Sequence, residues 1–545
     1  MQSRFVAGAA FAGFAVLLAS PAPAAFVVSS GATSNVTCTG GVCTATAADA
    51  VLNQKDFRHM IGAGALTLVS GSTAEDIVID AKIQWTKAHH LTLDAFRGIA
   101  FQLELTSESS GGATLTTNDG GSGGALTFVD GKGKMTFWDT SSSLVINGTS
   151  YTLANDIATL AAGIAANPSG AFAFGRGYDA SVDGTYEAAP IAATLTGTFN
   201  GLGHTITNLT IDHTRQADHA MGFFAAIGSG GTASDVSLDA ASVTSNGRFG
   251  STGIFTGTNA GTIRNVSVAG SVTETNNGKY LAGLVGLNTG VIDQSRASGQ
   301  VSDANYFPEA AGLAGENDGS ISRSASSMSV TGNYQACGLV ATNQGQVTLS
   351  SATGAATIGQ DQISDTYAGG LVCANGGTIT QSFATGAVFA GTGKGHHGES
   401  RAFGGGLVAD AGGTVQDCYS TGAVTASPPH FNLGGLVGEA VGAIATSYST
   451  GAVMAATHQH EQSGGLIGQL DTDFATNTST YWDLDTSGIS DPSRGAGSLA
   501  NAPGVTGLTT TQLQSGLPSG FDPSVWGQSP GVNDGLPYLL ANPPQ

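Results

Sequence analysis

Charge, aromatic residues and cysteine are all scarce in this chain of 545 residues. Only 10% of residues are charged, 7% are aromatic, and there are five cysteines, an odd number. So little charge excludes a disordered polyelectrolyte, and so few aromatics are unlike the core of an ordinary globular enzyme. Eighteen Lys and Arg stand against a formal net charge of -21. That balance repels nucleic acid and anionic lipid, so neither is expected as a partner. Apart from the N-terminus, no stretch reaches about 18 unbroken apolar residues, so no integral membrane segment is expected after it.

The N-terminus carries Arg4, an apolar stretch from Phe5 to Ala19, and Ala22-Pro23-Ala24. Residues 1–24 therefore read as a secretory signal peptide, and the remainder as an exported protein, secreted or at the cell surface. The last hundred residues lack the alternating ten-residue strands of a membrane barrel, so self-transport is not expected. An outer-membrane transporter could serve as a partner during export.

What is abundant is glycine, with 82 residues, and repetition. From Ile254 a nineteen-residue core recurs eight times, starting at 254, 283, 312, 338, 370, 406, 435 and 465. The starts are 29, 29, 26, 32, 36, 29 and 30 residues apart, and the core aligns without gaps, so length varies only in the connector after each core. A repeat of this length is one structural rung, unable to bury its apolar face alone.

Each column of the core has its own physical task. Positions two and three (Leu284-Val285, Leu371-Val372, Leu436-Val437) and ten (Ile292, Ile379, Ile444) are aliphatic, as interior strand positions require. Position eight is Gly in seven copies, from Gly261 to Gly442, which suits a corner needing positive φ. Position six is Asn259, Asn288, Asn317, Asn343 and Asn375, then Ala411 and Ala440. Five aligned amides predict a ladder of side-chain hydrogen bonds along the stack. The expected fold is all-β: a parallel, right-handed β-helix or solenoid with about eight such rungs, an N-terminal β cap and a C-terminal capping tail.

The Gly-Leu-Val-Gly strand, the Asn-x-Gly turn and the closing Tyr-Ser-Thr-Gly-Ala-Val resemble the GLUG repeat of bacterial surface and secreted proteins, including filamentous-haemagglutinin-like adhesins. Residues 195–209 look like the entry strands of such arrays, residues 481–488 like the exit, and residues 507–539 like the closing tail. The resemblance covers roughly residues 145–540, and it implies an adhesive or structural role.

Residues 25–140 form an N-terminal β region with in-out alternation over 76–85, 91–95 and 99–105, resembling the start of a haemagglutinin-like solenoid. Residues 141–253 hold the entry strands and one short helix, with Ile157, Leu160 and Ile164 at helical spacing after Asp156. The repeat region runs over 254–486 and the capping tail over 487–545, with a second short helix near Thr509–Gln514.

Cys38 and Cys43 enclose Thr-Gly-Gly-Val and can close a disulfide. Cys337, Cys373 and Cys418 fall in different columns and read as small buried fillers. Three successive connectors carry His396 and His397, His430, and His458 and His460, some with a nearby Glu. Imidazole and carboxylate together suit Zn²⁺, Cu²⁺ or Ni²⁺, although loops of this kind are also ordinary polar surface. No cofactor is expected otherwise.

The acidic residues Asp293, Glu316, Asp318, Asp410, Asp417 and Glu439 scatter over several columns with few basic neighbours. The expected function is accordingly non-enzymatic: a rod presenting variable loops to a surface glycan, matrix polymer or protein. The alternative is a polysaccharide-active β-helix lyase or hydrolase, for which three or more convergent carboxylates beside a Lys or Arg would speak.

Overall fold

A computed structural model describes residues 24–129, 131–213, 220–246, 250–276, 278–303, 308–359, 365–391, 401–427, 430–455 and 462–544. The chain is all-β, wound as parallel stacked coils into a solenoid of about 15 turns. That is nearly twice the eight rungs read from the repeat. One missed turn precedes Ile254: Phe224 pairs in register with Thr256, and Ile227 with Asn259. An apolar residue in the Asn column hid it. The others lie nearer the N-terminus, where the Gly-Leu-Val-Gly motif does not occur.

Each repeat contributes to three sheets. The first contains Tyr280–Ala282, Glu309–Ala311, Gln335–Cys337, Thr366–Gly369, Ala402–Gly405, Phe431–Gly434 and Gln462–Gly464. A Gly-Leu corner then leads into the second, with Val285–Asn288, Ala314–Asn317, Val340–Asn343, Val372–Asn375, Val408–Ala411, Val437–Ala440 and Ile467–Leu470. Both sheets have nine strands. The third is longer and bends once per turn, as between Val291–Asp293 and Arg296–Asp303.

The aliphatic columns form one continuous core. Leu284, Leu313, Leu339, Leu371, Leu407, Leu436 and Leu466 are fully buried, as are Ile292, Ile321, Val347, Ile379 and Val415. Each such side chain contributes roughly 1.5–3 kcal/mol by leaving water, which no isolated rung would collect.

Two kinds of corner divide the work differently from the sequence expectation. The glycines of position eight do not occupy the left-handed region. Gly290 is required because a Cβ there would stand 2.1 Å from the carbonyl oxygen of Gly261, one rung away, and Gly319 repeats the contact on Gly290 at 2.0 Å. The left-handed residues are instead Asn265, Gln294, Arg323, Leu349, Gln381, Asp417 and Thr446, at the bend of the third sheet. Their positive φ, between 43° and 52°, is set by stacking on identical corners above and below.

The first turns form a second coil with its own core, built on Phe26, Leu52, Ile77, Leu93, Phe101, Leu115 and Phe137. Helix α1 (Gln54–Ala63) is capped by Asn53, whose side chain accepts from Lys55 N, and buries Phe57 and Ile61. The two coils meet at an Asn147-Gly148 hairpin, where Leu144–Ile146 pairs antiparallel with Thr149–Ala154. Both turn residues have positive φ, the requirement that Asn-Gly meets at least cost. Helix α2 (Ile157–Ala166), capped by Asp156, buries Ile157, Leu160 and Ile164 just beyond the joint. His204 is buried at this joint, with Nε2 3.0 Å from Met135 O, and burial pushes its pKa down to about 4.

The C-terminal tail covers the side of the rod. Residues 484–508 complete the last turn, with Val505–Leu508 pairing onto Thr480–Asp483. Helix α3 (Thr510–Gln514) then starts a segment whose Leu513, Phe521, Trp526, Leu536 and Leu539 pack on a column of Phe383, Tyr419, Tyr448 and Tyr481. The column rings stack because their strands are in register, 4.9 Å apart for Phe383–Tyr419 and 5.3 Å for Tyr419–Tyr448. Asn542 Nδ2 reaches the carbonyls of Ser350 and Gln381, so the cover extends over several rungs.

Candidate functional site

Alternation places Leu281, Ala310, Ala336, Ala368 and Leu433 of the first sheet in the core, so the residues beside them point outward. The corner into the second sheet is sharp enough that the outward faces of the two sheets meet. At Gly286 a Cβ would lie 2.6 Å from Thr252 N of the first sheet. Cys337 and Cys373 sit in this meeting, joined by a disulfide with Cα atoms 5.5 Å apart, beside Ala282, Ala311 and Ala341. Their reading as separate fillers is thereby corrected. They occupy different columns, and those columns face each other across the seam.

Above the disulfide the seam is polar and aromatic. Its first-sheet wall is the in-register series Tyr280, Glu309, Gln335, Tyr367, Phe403, Asn432 and Gln462. Opposite run Leu287, Glu316, Thr342, Ala374, Asp410, Glu439 and Gln469. Tyr367 and Phe403 stack at 4.9 Å with planes 8° apart, and Tyr334 meets Tyr367 edge-on at 5.9 Å. Asn432 Nδ2 donates across the seam to Gln469 Oε1 at 2.7 Å.

The seam carboxyls are harder to ionise than usual. Burial pushes the pKa of Glu309, Glu316, Asp410 and Glu439 upward. Asp410 and Glu439 are register neighbours, and the charge of Asp410 raises Glu439 further, with Arg401 opposing. Lys279 Nζ lies 4.0 Å from Glu316 and 4.2 Å from the centre of the Tyr280 ring. Among the described residues, three buried acceptor atoms of the seam have no hydrogen-bond partner: Glu309 Oε2, Gln335 Oε1 and Gln462 Oε1. Gln335 is only 4% exposed, so its lone oxygen carries the desolvation cost of a buried polar group.

The five ladder asparagines bond in series. Asn259, Asn288, Asn317 and Asn343 each donate from Nδ2 to Oδ1 of the next, always at 2.7 Å. A second ladder escaped the sequence reading because its residues are small and common. The Oγ atoms of Ser295, Ser324, Ser350, Ser382 and Ser447 each accept a backbone N–H from the preceding rung and donate to a carbonyl two residues back. Cys418 takes the same place between Ser382 and Ser447, its Sγ 3.1 Å from Gln416 O. Burial pushes its thiol up to about 12, so it is inert.

Cys38 and Cys43 are disulfide-bonded across a hairpin. His396, His397, His458 and His460 lie outside the described residues. His430 is described, with its carbonyl accepting from Ala402 N at 3.0 Å. Among the described residues no group of three His, Cys, Asp or Glu is placed to hold a metal ion. No helix among them is long and apolar enough to cross a membrane.

A hollow of about 490 Å³ lies where residues 126–128 approach the third sheet, and includes Arg264, Arg296 and Arg323 in its lining. Asp293 pairs with Arg323 at 2.5 Å and lies 3.8 Å from Arg264, which spends much of that positive charge internally.

No family model matches this chain, and no solved structure does. A segment of 111 residues, 20% of the chain, is 37% identical to halomucin of Haloquadratum walsbyi (strain DSM 16790 / HBSQ001). The match spans 1% of halomucin's length.

Proposed function

We propose that this chain is an exported structural or adhesive rod, holding a surface glycan, matrix polymer or protein along the edge where its connectors join the first sheet. The observation that carries this reading is that connectors of unequal length all enter first-sheet strands whose opening residues line the seam, as at Glu309, Tyr367, Phe403, Asn432 and Gln462. A rigid scaffold thus sets the points where variable segments rejoin it along the same edge as a polar, aromatic lip, the usual division of labour between frame and binding surface. The likeness to GLUG-repeat adhesins, the signal-like N-terminus and the segment shared with a protein named a halomucin support the same reading. Fractionation of the producing cells, with adhesion measured after deletion of the gene, tests it. A protein retained in the cytoplasm, with adhesion unchanged, would refute it.

The enzyme reading draws on one feature, the neighbouring carboxyls Asp410 and Glu439 with Arg401 beside them. One acid kept protonated and one ionised is the pairing that glycoside hydrolysis uses. Assay of reducing-end release decides between holding a polymer and cutting it.

A further inference from the structure

We infer that the hollow between the first coil and the bend of the third sheet binds a single acidic sugar unit, its carboxylate or sulfate held by Arg264, Arg296 and Arg323. The site belongs to the third sheet and not to the seam edge, so it goes beyond the reading above and does not rest on it.

The bend of the third sheet is covered from two directions. The first coil stands over it with Leu126–Phe128, and Gly203 lets that wall come close, since a Cβ there would lie 2.9 Å from Phe128 Cβ. From the other end the tail reaches Ser350 through Asn542. Between these covers lies the hollow, whose 490 Å³ falls within the range of about 300–1,000 Å³ usual for small-ligand sites. The side chains of Arg264 and Arg323 remain 47% and 52% exposed, so a solute reaches both.

Charge selects the solute. Three of the eighteen Lys and Arg, in a chain of net charge -21, come from successive rungs and line this one hollow. Asp293 is in register with Arg264, and its rung neighbour Ser322 precedes Arg323. At 8% exposure, Asp293 holds both guanidinium groups from beneath, 2.5 Å from Arg323 and 3.8 Å from Arg264. It absorbs part of their charge, yet their N–H donors outnumber the lone pairs of one carboxylate. Asp235, the other carboxyl of the lining, accepts from the amides of Asn200 and Asn265 at 2.8 and 2.9 Å. Three cations against two carboxyls leave a positive surplus. The planar fork of arginine matches a carboxylate or a sulfate.

The remaining lining identifies the carrier. Thr127, Thr232, Ser234, Thr262 and Gln294 present hydroxyl and amide groups, the partners that sugar hydroxyls need, while Phe128 is only 5% exposed. Attraction by the arginines fades over a Debye length of about 8 Å at physiological salt, and an acidic rod lies beyond. An isolated acidic unit or a chain end is therefore preferred to a long polyanion.

Isothermal titration calorimetry of the full-length protein with glucuronate, glucose 6-sulfate, glucose and inorganic sulfate tests the assignment. Both acidic sugars should bind at one site per chain, inorganic sulfate at least tenfold more weakly, and glucose not measurably. Arg296→Gln should lower the affinity for the acidic sugars at least tenfold by removing charge. Thr127→Trp should do the same by filling the hollow with all three arginines in place. Thr127 is exposed, so this variant should melt with wild type, which separates a blocked site from a misfolded one. Absence of binding by both acidic sugars overturns the assignment, as does wild-type affinity in either variant. Inorganic sulfate binding as tightly as the sugars overturns the sugar as carrier, and glucose binding as tightly overturns the role of the arginines.

Discussion

Trp526 donates its indole N–H to Asp417 Oδ1 at 3.2 Å, across 109 positions of sequence. Asp417 stands in the left-handed column, and its Oδ1 also accepts from Thr446 at 2.5 Å, so the tail is fastened to the bend of a particular rung. The ring itself packs 4.5 Å from Phe521 and about 6 Å from Tyr419 and Tyr448.

Trp526→Ala should therefore cost about 3–5 kcal/mol and expose the tyrosine column. Urea unfolding together with binding of a hydrophobic dye reads both effects. Trp526→Phe keeps most of the packing and should lose only about 1 kcal/mol, the hydrogen bond. Equal stability of the Ala variant and wild type would show that the tail does not clasp the rod.

The asparagine ladder makes a positional prediction. Asn317→Ala leaves the Nδ2 of Asn288 and the Oδ1 of Asn343 without their ladder partners, and should cost about 2–4 kcal/mol. Asn375→Ala, at the end of the series, strands only Asn343 and should cost roughly half as much. Identical losses in denaturant unfolding would mean that the ladder is not coupled.

Glu274 and His204 give opposite pH dependences. Glu274 is 1% exposed, and burial pushes its pKa up to about 7 although Asn276 and Ser245 donate to it. The folded state thus holds this proton more tightly, and stability is lost as pH rises from about 4.5 to about 7. His204, pushed down to about 4, loses stability as pH falls through about 6.5 toward 4, because the unfolded chain binds the proton first. Each effect is on the order of 3 kcal/mol, and between about pH 4.5 and 6.5 they oppose. Glu274→Gln should consequently melt higher than wild type at pH 8 and show a steeper loss on acidification. A variant parallel to wild type from pH 5 to 8 would remove Glu274 from the account.

Thiol titration checks the cysteines directly. In denaturant without reductant one thiol per chain should react, that of Cys418, and none in the native state. Replacing Cys337 and Cys373 together by Ala opens a link between residues 36 apart and should cost about 3–4 kcal/mol. Three reactive thiols in the denatured wild type would mean that the seam is not covalently tied.

The repeat was legible because its columns carry their physics one residue at a time: Leu284 and Ile292 announce an interior, and Asn288 announces a partner one rung away. The seam was not, because it arises between columns. Cys337 precedes the core and Cys373 is its fourth residue, and only the angle of the Gly-Leu corner sets one against the other. Gln335, Tyr367 and Phe403 likewise precede their cores, among residues that do not repeat in kind. At Gly290 the sequence shows that glycine is needed but not why, since contact with the next layer and positive φ leave the same letter. The turns before Asn147 carry no trace of the repeat because the first coil builds its layers from other residues.

The contact of Gly290 on Gly261 recurs from Gly319 on Gly290 to Gly442 on Gly413. At this corner each junction between neighbours is therefore built like the next. Whole units can be gained or lost by unequal recombination with both new faces still matched, whereas a bulky residue at one of these points injures two units together. Length is the freedom this design leaves open to selection.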